Sequence, residues 1–162
     1  PASEIASCLV GSEMCIRDSP YTPATNLLYG LDEAINILTE EGLENVFNRH
    51  NRFAEATRIA VNAWGLEILC KNPNEYSSSL TAVLVPEGHD ADSLRKIILD
   101  DYNMSLGTGL AKVAGKVFRI GHLGDFNELM LAGTLSGVEM GLMKSKIPFN
   151  KGGILKALEY LC

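Results

Sequence analysis

The sequence has 162 residues, 46% hydrophobic and 21% charged, which is long and apolar enough to bury the core of one globular domain. Its formal net charge of -6, with acidic and basic residues interspersed, argues against nucleic-acid binding, which needs clustered Lys and Arg. Because no apolar run is long enough to span a bilayer and no signal-peptide pattern opens the chain, we expect a cytoplasmic protein with no membrane partner.

The first 19 residues have no helical or strand periodicity and no capping pattern that joins them to the residues after them. Within them, the run from Leu9 to Asp18 resembles the translation of a sequencing-library adapter. We therefore expect residues 1–19 to be a sequencing artefact, the native frame to begin at Pro20, and the chain to be a fragment. A natural N-terminal segment is the alternative.

Two amphipathic helices are predicted next. Thr22 and the proline after it form a reasonable helix start, apolar residues then recur at helical spacing, and Gly42 ends the pattern. A second helix is predicted from about Leu43 to Trp64. His50 lies among polar residues of this helix, so we expect its side chain to be solvated.

The remaining residues alternate between strand and helix patterns. The predicted elements are a strand at Leu80–Val85, a helix capped by Asp90 that runs to about Asp101, a brief strand at Met104–Leu106, a strand at Val117–Ile120, a long helix opened by a capping box of Asp125 and Glu128, and a short helix after Gly153. This alternation predicts an α+β fold, with a small, mostly antiparallel sheet covered by helices on one face.

The predicted strand Val117–Ile120 contains one charged residue, Arg119. Side chains alternate along a strand, so Val117 and Arg119 share one face while Phe118 and Ile120 share the other. Arginine is rarely buried without a partner, and its planar guanidinium suits a carboxylate or a phosphate. The residue therefore has three interpretations: a ligand site, an internal ion pair, or an edge strand from which Arg119 reaches water.

Other candidate residues form no recognisable reaction centre. His89 and Asp90 stand at a helix start and favour capping over metal binding, so no metal site is predicted. His122 comes after the Arg119 strand, but no Ser or Cys nucleophile has a visible base partner. The residues alone therefore predict no catalytic group in this chain, only an anion-binding candidate.

Two stretches carry a resemblance to a known family: PYTPATNLLYGL at Pro20–Leu31 and GKVFRIGHLGDFN at Gly115–Asn127. They resemble the C-terminal part of class V pyridoxal-phosphate aminotransferases, in the serine-glyoxylate (alanine-glyoxylate) group. The resemblance implies that residues 20–64 are linking helices from the end of a large domain, and residues 65–162 the small domain. It also implies a homodimer that transfers an amino group from serine or alanine to glyoxylate, giving glycine.

The resemblance assigns roles to two residues. Arg119 would bind the α-carboxylate of the amino acid and 2-oxo acid substrates, and Thr22 would contact the pyridoxal phosphate of the neighbouring subunit. The family's cofactor-binding lysine would lie upstream of this chain, so we expect the chain alone to be inactive. The alternative is a stand-alone α+β module for carboxylate binding or oligomerisation; a third possibility is that Arg119 is purely structural.

Overall fold

The computed structural model describes residues 24–162, so Thr22 and residues 1–19 lie outside the described part. The chain divides into two compact units between Leu43 and Glu44. In the first unit, helix α1 spans Thr25–Glu41 and has no buried side chain. Gly42 follows it with a φ of 81°, a left-handed conformation that favours glycine and ends the helix where the sequence predicts.

The second unit contains four helices and a four-stranded sheet. In chain order its elements are α2 (Leu43–Ala63), β1 (Glu67–Ile68), β2 (Leu80–Leu84), α3 (Ala91–Tyr102), β3 (Gly107–Thr108), β4 (Val117–Gly121), α4 (Glu128–Ser145) and α5 (Gly153–Leu161), with short 3₁₀ turns at Pro73–Glu75 and Ala111–Val113. Asp90 caps α3 as predicted, because its carboxylate accepts hydrogen bonds from the backbone N–H groups of Asp92 and Ser93.

The strands of the second unit form one antiparallel sheet with the order β1-β2-β4-β3. β4 therefore lies between two strands, with Ala82 of β2 and Gly107 of β3 directly opposite Arg119. The edge-strand interpretation of Arg119 is wrong, because backbone pairing occupies both sides of its strand.

One face of this sheet packs against the helices. The core draws Val83 from β2 and Phe118 and Ile120 from β4, all on the same face. The helices contribute Phe53, Leu94, Ile98, Leu131, Leu135, Leu142 and Leu161, and the turn after α2 contributes Trp64. The predicted α+β fold, a small antiparallel sheet with helices on one face, is confirmed.

A buried carboxylate in the middle of α4 joins the end of α2 to the start of α5. Glu139 of α4 accepts hydrogen bonds from Trp64 Nε1–H at 2.9 Å, Gly152 N–H at 2.7 Å and Ile154 N–H at 3.1 Å. These three hydrogen bonds offset the free-energy cost of removing the carboxylate from water. They also fix α5 against the end of α2.

Two predicted local features are wrong. The brief strand predicted at Met104–Leu106 forms instead at Gly107–Thr108, because these are the residues that pair with β4. Asp125 does not cap α4: the cap is Asn127, whose side-chain oxygen accepts the Met130 N–H at 3.0 Å. Glu128 is the first residue of the helix and pairs with an arginine of α2.

Within residues 24–162, no helix is long and apolar enough to cross a membrane. Helix α2, predicted to be one of the linking helices of residues 20–64, contributes Phe53, Ala60 and Val61 to the core of the second unit. The assignment of residues 20–64 and 65–162 to two domains of a larger protein remains a prediction.

Candidate functional site

Arg119 lies in the middle of the sheet, on the face of β4 opposite the helix-packed core. Its two neighbours across the ladder, Ala82 and Gly107, are among the smallest residues. Side chains of directly opposed residues stand about 5 Å apart in a sheet, so these neighbours leave room around the guanidinium stem. Arg119 therefore lies between two small residues of the neighbouring strands.

The guanidinium of Arg119 has no protein partner among the described residues. Its Nε is buried and makes no hydrogen bond, and no described carboxylate pairs with it. The internal ion-pair interpretation is therefore wrong for this part of the chain. A buried donor without an acceptor costs on the order of 1–3 kcal/mol, so a bound water, an ion or a ligand is expected to complete the site.

Gly107 makes close contact with this side chain. A Cβ added to Gly107 would lie 3.0 Å from both Cβ and Nε of Arg119 and 3.5 Å from its Cζ. Sequence reasoning missed this residue, because twelve positions separate it from Arg119 and only the strand register brings them together. The signal available in the sequence was a glycine inside a short segment flanked by further glycines.

The loop that leaves β4 is held by helix α2. Gly124 donates its backbone N–H to His50 Nε2 at 3.0 Å, and Arg49 Nη1 donates to the carbonyl oxygen of Gly124 at 2.6 Å. His50 Nδ1 in turn donates to the carbonyl oxygen of Val46 at 2.7 Å. The prediction that His50 is solvated is wrong: it is buried, and it helps to place the loop after the Arg119 strand.

His122 anchors the other side of the same strand end. Its Nε2 lies 3.0 Å from Thr81 Oγ1, and its Nδ1 lies 3.1 Å from the carbonyl oxygen of Ser78. Because a carbonyl only accepts, the proton resides on Nδ1 and the threonine hydroxyl donates to Nε2. Burial lowers the pKa of His122 to about 4, so the imidazole is neutral near pH 7 and acts as a fixed hydrogen-bonding group.

The lysines of this chain do not fit the covalent attachment of a carbonyl cofactor. Such a lysine needs a desolvated pocket that favours its neutral amine. All lysines here are exposed, and those on β1, α3, α4 and α5 or beside them form surface ion pairs. Thr22, the other predicted cofactor contact, lies outside the described residues.

The site therefore has one part that fits a small anionic ligand and lacks the part that would bind a cofactor. Within residues 24–162, no cluster of three or more potential metal-ligating side chains occurs. Arg119 supplies a fixed positive charge, the small residues beside it leave space, and two hydrogen-bonded histidines hold the chain segment after its strand. Such an arrangement can bind and orient a carboxylate.

No family model matches the chain, but individual proteins do. It is 52% identical over 143 residues to the serine–glyoxylate aminotransferase of Methylorubrum extorquens, covering 88% of this chain and 36% of that protein. It is 44% identical over 142 residues to the L-aspartate–glyoxylate aminotransferase of Paracoccus denitrificans, covering 87% of this chain and 36% of the relative.

A solved structure gives the same result for the fold. The ureidoglycine–glyoxylate aminotransferase of Bacillus subtilis superposes with a TM-score of 0.82 at 28% identity, covering 90% of this chain and 38% of that one. The chain thus spans a little over a third of the length of the proteins it matches. Over nearly nine tenths of its length, the chain is therefore similar to one part of several glyoxylate aminotransferases.

Proposed function

We propose that this chain is the substrate-carboxylate-binding part of an aminotransferase that moves an amino group from serine or alanine to glyoxylate, giving glycine. The observation that carries the proposal is the unpaired guanidinium of Arg119 in the middle of the sheet. The names of similar proteins support the acceptor: those from Methylorubrum, Paracoccus and Bacillus all contain glyoxylate. They differ in the amino donor.

Arg119 acts on the group that all substrates of this reaction share. An amino donor and a 2-oxo acid both carry a carboxylate beside the reacting carbon, and the planar guanidinium can donate two parallel hydrogen bonds to it. Fixing that carboxylate fixes the distance and direction of the reacting carbon. The same residue therefore positions both substrates in turn.

Pyridoxal 5'-phosphate, the cofactor of the proposed enzyme, supplies an electron sink for the transferred amino group. No lysine of this chain is buried, so we infer that the covalent attachment comes from the portion of the protein that precedes it. Thr22 would contact the cofactor phosphate across the interface of a cytoplasmic homodimer. On this proposal the chain by itself does not transaminate.

The proposal is tested with a hybrid protein, here called the completed enzyme. It joins the N-terminal portion of the Methylorubrum extorquens relative, up to the point where the alignment begins, to residues 20–162 of this chain. We expect the completed enzyme to form glycine from serine or alanine and glyoxylate, and the 162-residue chain to show no activity with added pyridoxal phosphate. A well-folded completed enzyme without activity would contradict the proposed function.

The role of Arg119 is tested in the completed enzyme by Arg119→Ala. Losing charge-assisted hydrogen bonds worth about 1.5–3 kcal/mol raises the KM of each carboxylate substrate by about 10- to 150-fold. Cofactor absorbance should stay unchanged. The control for loss of a cationic side chain is Lys96→Ala, since Lys96 is exposed on α3 and pairs with Asp100 at 2.7 Å. Unchanged kinetics in Arg119→Ala would remove this residue from the site.

The stand-alone binding module makes the opposite predictions. The isolated chain would then bind glyoxylate in an Arg119-dependent manner without pyridoxal phosphate, and the completed enzyme would be inactive. Isothermal titration of glyoxylate into the chain and into its Arg119→Ala variant distinguishes the two.

The fragment interpretation has its own test. We propose that residues 1–19 derive from adapter sequence, so the source DNA should be read across the codon of Pro20 by a method that uses no such adapter. An open frame that continues upstream into a segment with a cofactor-binding lysine is expected. A start codon before residues 1–19 would overturn this part of the proposal.

A further inference from the structure

We propose that Gly107 is a positioning residue for Arg119: its missing side chain lets the guanidinium lie against strand β3 in the orientation that receives a substrate carboxylate. This inference rests on the proposed function and adds to it a second residue that determines substrate affinity. The two residues are direct partners in the β3–β4 ladder.

The contact is close enough to set the side-chain conformation. A Cβ on Gly107 would stand 3.0 Å from Arg119 Nε and 3.5 Å from Cζ, closer than ordinary van der Waals contact at Nε. It would also stand 3.0 Å from the Cβ of Arg119, which the doubly paired backbone of β4 fixes, so relief of that contact falls on β3. Relief of the contact at Nε falls on the guanidinium.

Packing is also what orients this guanidinium. Arginines that bind ligands are commonly held by hydrogen bonds from their own protein, but Arg119 Nε has no acceptor in the described part of the chain. With no hydrogen bond to fix the plane, contact with neighbouring residues constrains the guanidinium, and Gly107 lies directly opposite Arg119 on β3. A methyl group at position 107 would stand 3.0 Å from Nε.

The backbone gives no other reason for glycine at this position. The glycines with positive φ, where a side chain is strained, include Gly115 and Gly124 but not Gly107. Any residue could adopt the strand conformation of Gly107, so the space beside Arg119 is the feature that requires glycine. Gly133 of α4 offers a contrast, since an added Cβ there would meet nothing within 4 Å.

The test is Gly107→Ala in the completed enzyme, with Gly133→Ala as the matched control. We expect Gly107→Ala to raise the KM for both the amino donor and glyoxylate by about tenfold or more, since misplacing a binding group by a fraction of an ångström weakens both substrates. The cofactor absorbance and its pH dependence should not change. Wild-type KM values in a folded Gly107→Ala variant overturn the inference while the proposed function stands.

A double-mutant cycle separates positioning from a general structural role. If Gly107 acts through Arg119, then Gly107→Ala raises KM in the presence of Arg119 and has little further effect in the Arg119→Ala background. Equal effects in both backgrounds overturn the inference. If the completed enzyme is inactive even with Gly107 intact, the proposed function is contradicted. The double-mutant cycle is then measured as changes in the stability of the chain instead of changes in KM.

For that readout the same four variants of the 162-residue chain are unfolded in urea and followed by the fluorescence of its single tryptophan, Trp64, which is buried in the core. The expected result is that Gly107→Ala lowers the unfolding midpoint more with Arg119 present than with Arg119→Ala, in which only the contact between the two Cβ atoms remains. If Gly107→Ala fails to fold in both backgrounds, the glycine is a backbone requirement and the inference is wrong.

Discussion

The two faces of strand β4 are built from adjacent residues and obey different rules. Phe118 and Ile120 are completely buried and pack against the helices, with Val83 beside them on β2. Arg119, between them in sequence, faces the other way among small neighbours and has no protein partner among the described residues. One face buries Phe118 and Ile120 against the helices, whereas the other carries the charge of Arg119 beside the buried Val117. Phe118 and Ile120 therefore stabilise the fold, whereas Arg119, with its unpaired Nε, lowers its stability.

The difference between the two faces is tested most directly by replacing one side chain from each. Phe118→Ala removes a buried aromatic ring and should lower the free energy of unfolding of the chain by about 3–5 kcal/mol. Arg119→Met should leave it unchanged or raise it, because no ion pair is lost and an unsatisfied buried donor is removed. Urea unfolding monitored by Trp64 fluorescence measures both. If Arg119→Met destabilises the chain as much as Phe118→Ala, then Arg119 is structural.

The sequence predicted the helices of this fold well because their signals are local. Helical spacing of apolar residues and the glycine after α1 set its extent, and Asp90 supplied a cap within three residues of the groups it satisfies. The short strand β3 was displaced because a two-residue strand is defined by its partner and has little periodicity of its own. Asn127 and Asp125 are both good caps, and only the path of the loop selects Asn127.

The site was predictable only as far as Arg119. A charge inside a strand pattern is visible in the sequence, and its side of the sheet follows from alternation. Its neighbours are not visible in the sequence, because Gly107 meets Arg119 through the register of the sheet and His50 meets Gly124 across 74 positions. Polar residues around His50 in the sequence suggested solvent, but the histidine side chain faces a loop from another part of the chain.

The second prediction concerns the pH dependence of stability on the core face of the sheet, where His122 is buried beside Thr81. Its pKa is about 4 in the folded chain against 6.5 unfolded, so between these values the unfolded state binds more protons and stability falls as pH falls. From pH 7 to pH 5 the loss attributable to His122 is about 2 kcal/mol. In His122→Gln, urea unfolding should show that much less pH dependence over this range. The carboxylates with lowered pKa values, Asp90, Glu128 and Glu139, add their own loss mainly at lower pH.

An equal pH dependence in His122→Gln and the unmodified chain would show that His122 already titrates normally when folded. Protonation at Nε2, which displaces the hydrogen bond donated by the Thr81 hydroxyl, would then cost little. In that case water would reach the imidazole of His122 at the end of β4, although the side chain is buried in this structure.

The smallest expected effect on stability concerns the loop that joins β4 to α4. His50→Ala leaves the Gly124 N–H without its acceptor, and one neutral hydrogen bond contributes on the order of 1 kcal/mol to stability. We expect that loss in urea unfolding, and in the completed enzyme a modest rise in KM without a change in cofactor absorbance. The matched control is His89→Ala, because His89 is only half-buried and its imidazole takes part in no described hydrogen bond. Because Arg49 also donates a hydrogen bond to the carbonyl oxygen of Gly124, the loop should become more mobile but keep its position.

A KM rise in His50→Ala as large as that in Arg119→Ala would contradict this expectation. It would mean that the position of the loop determines carboxylate binding as strongly as Arg119 itself.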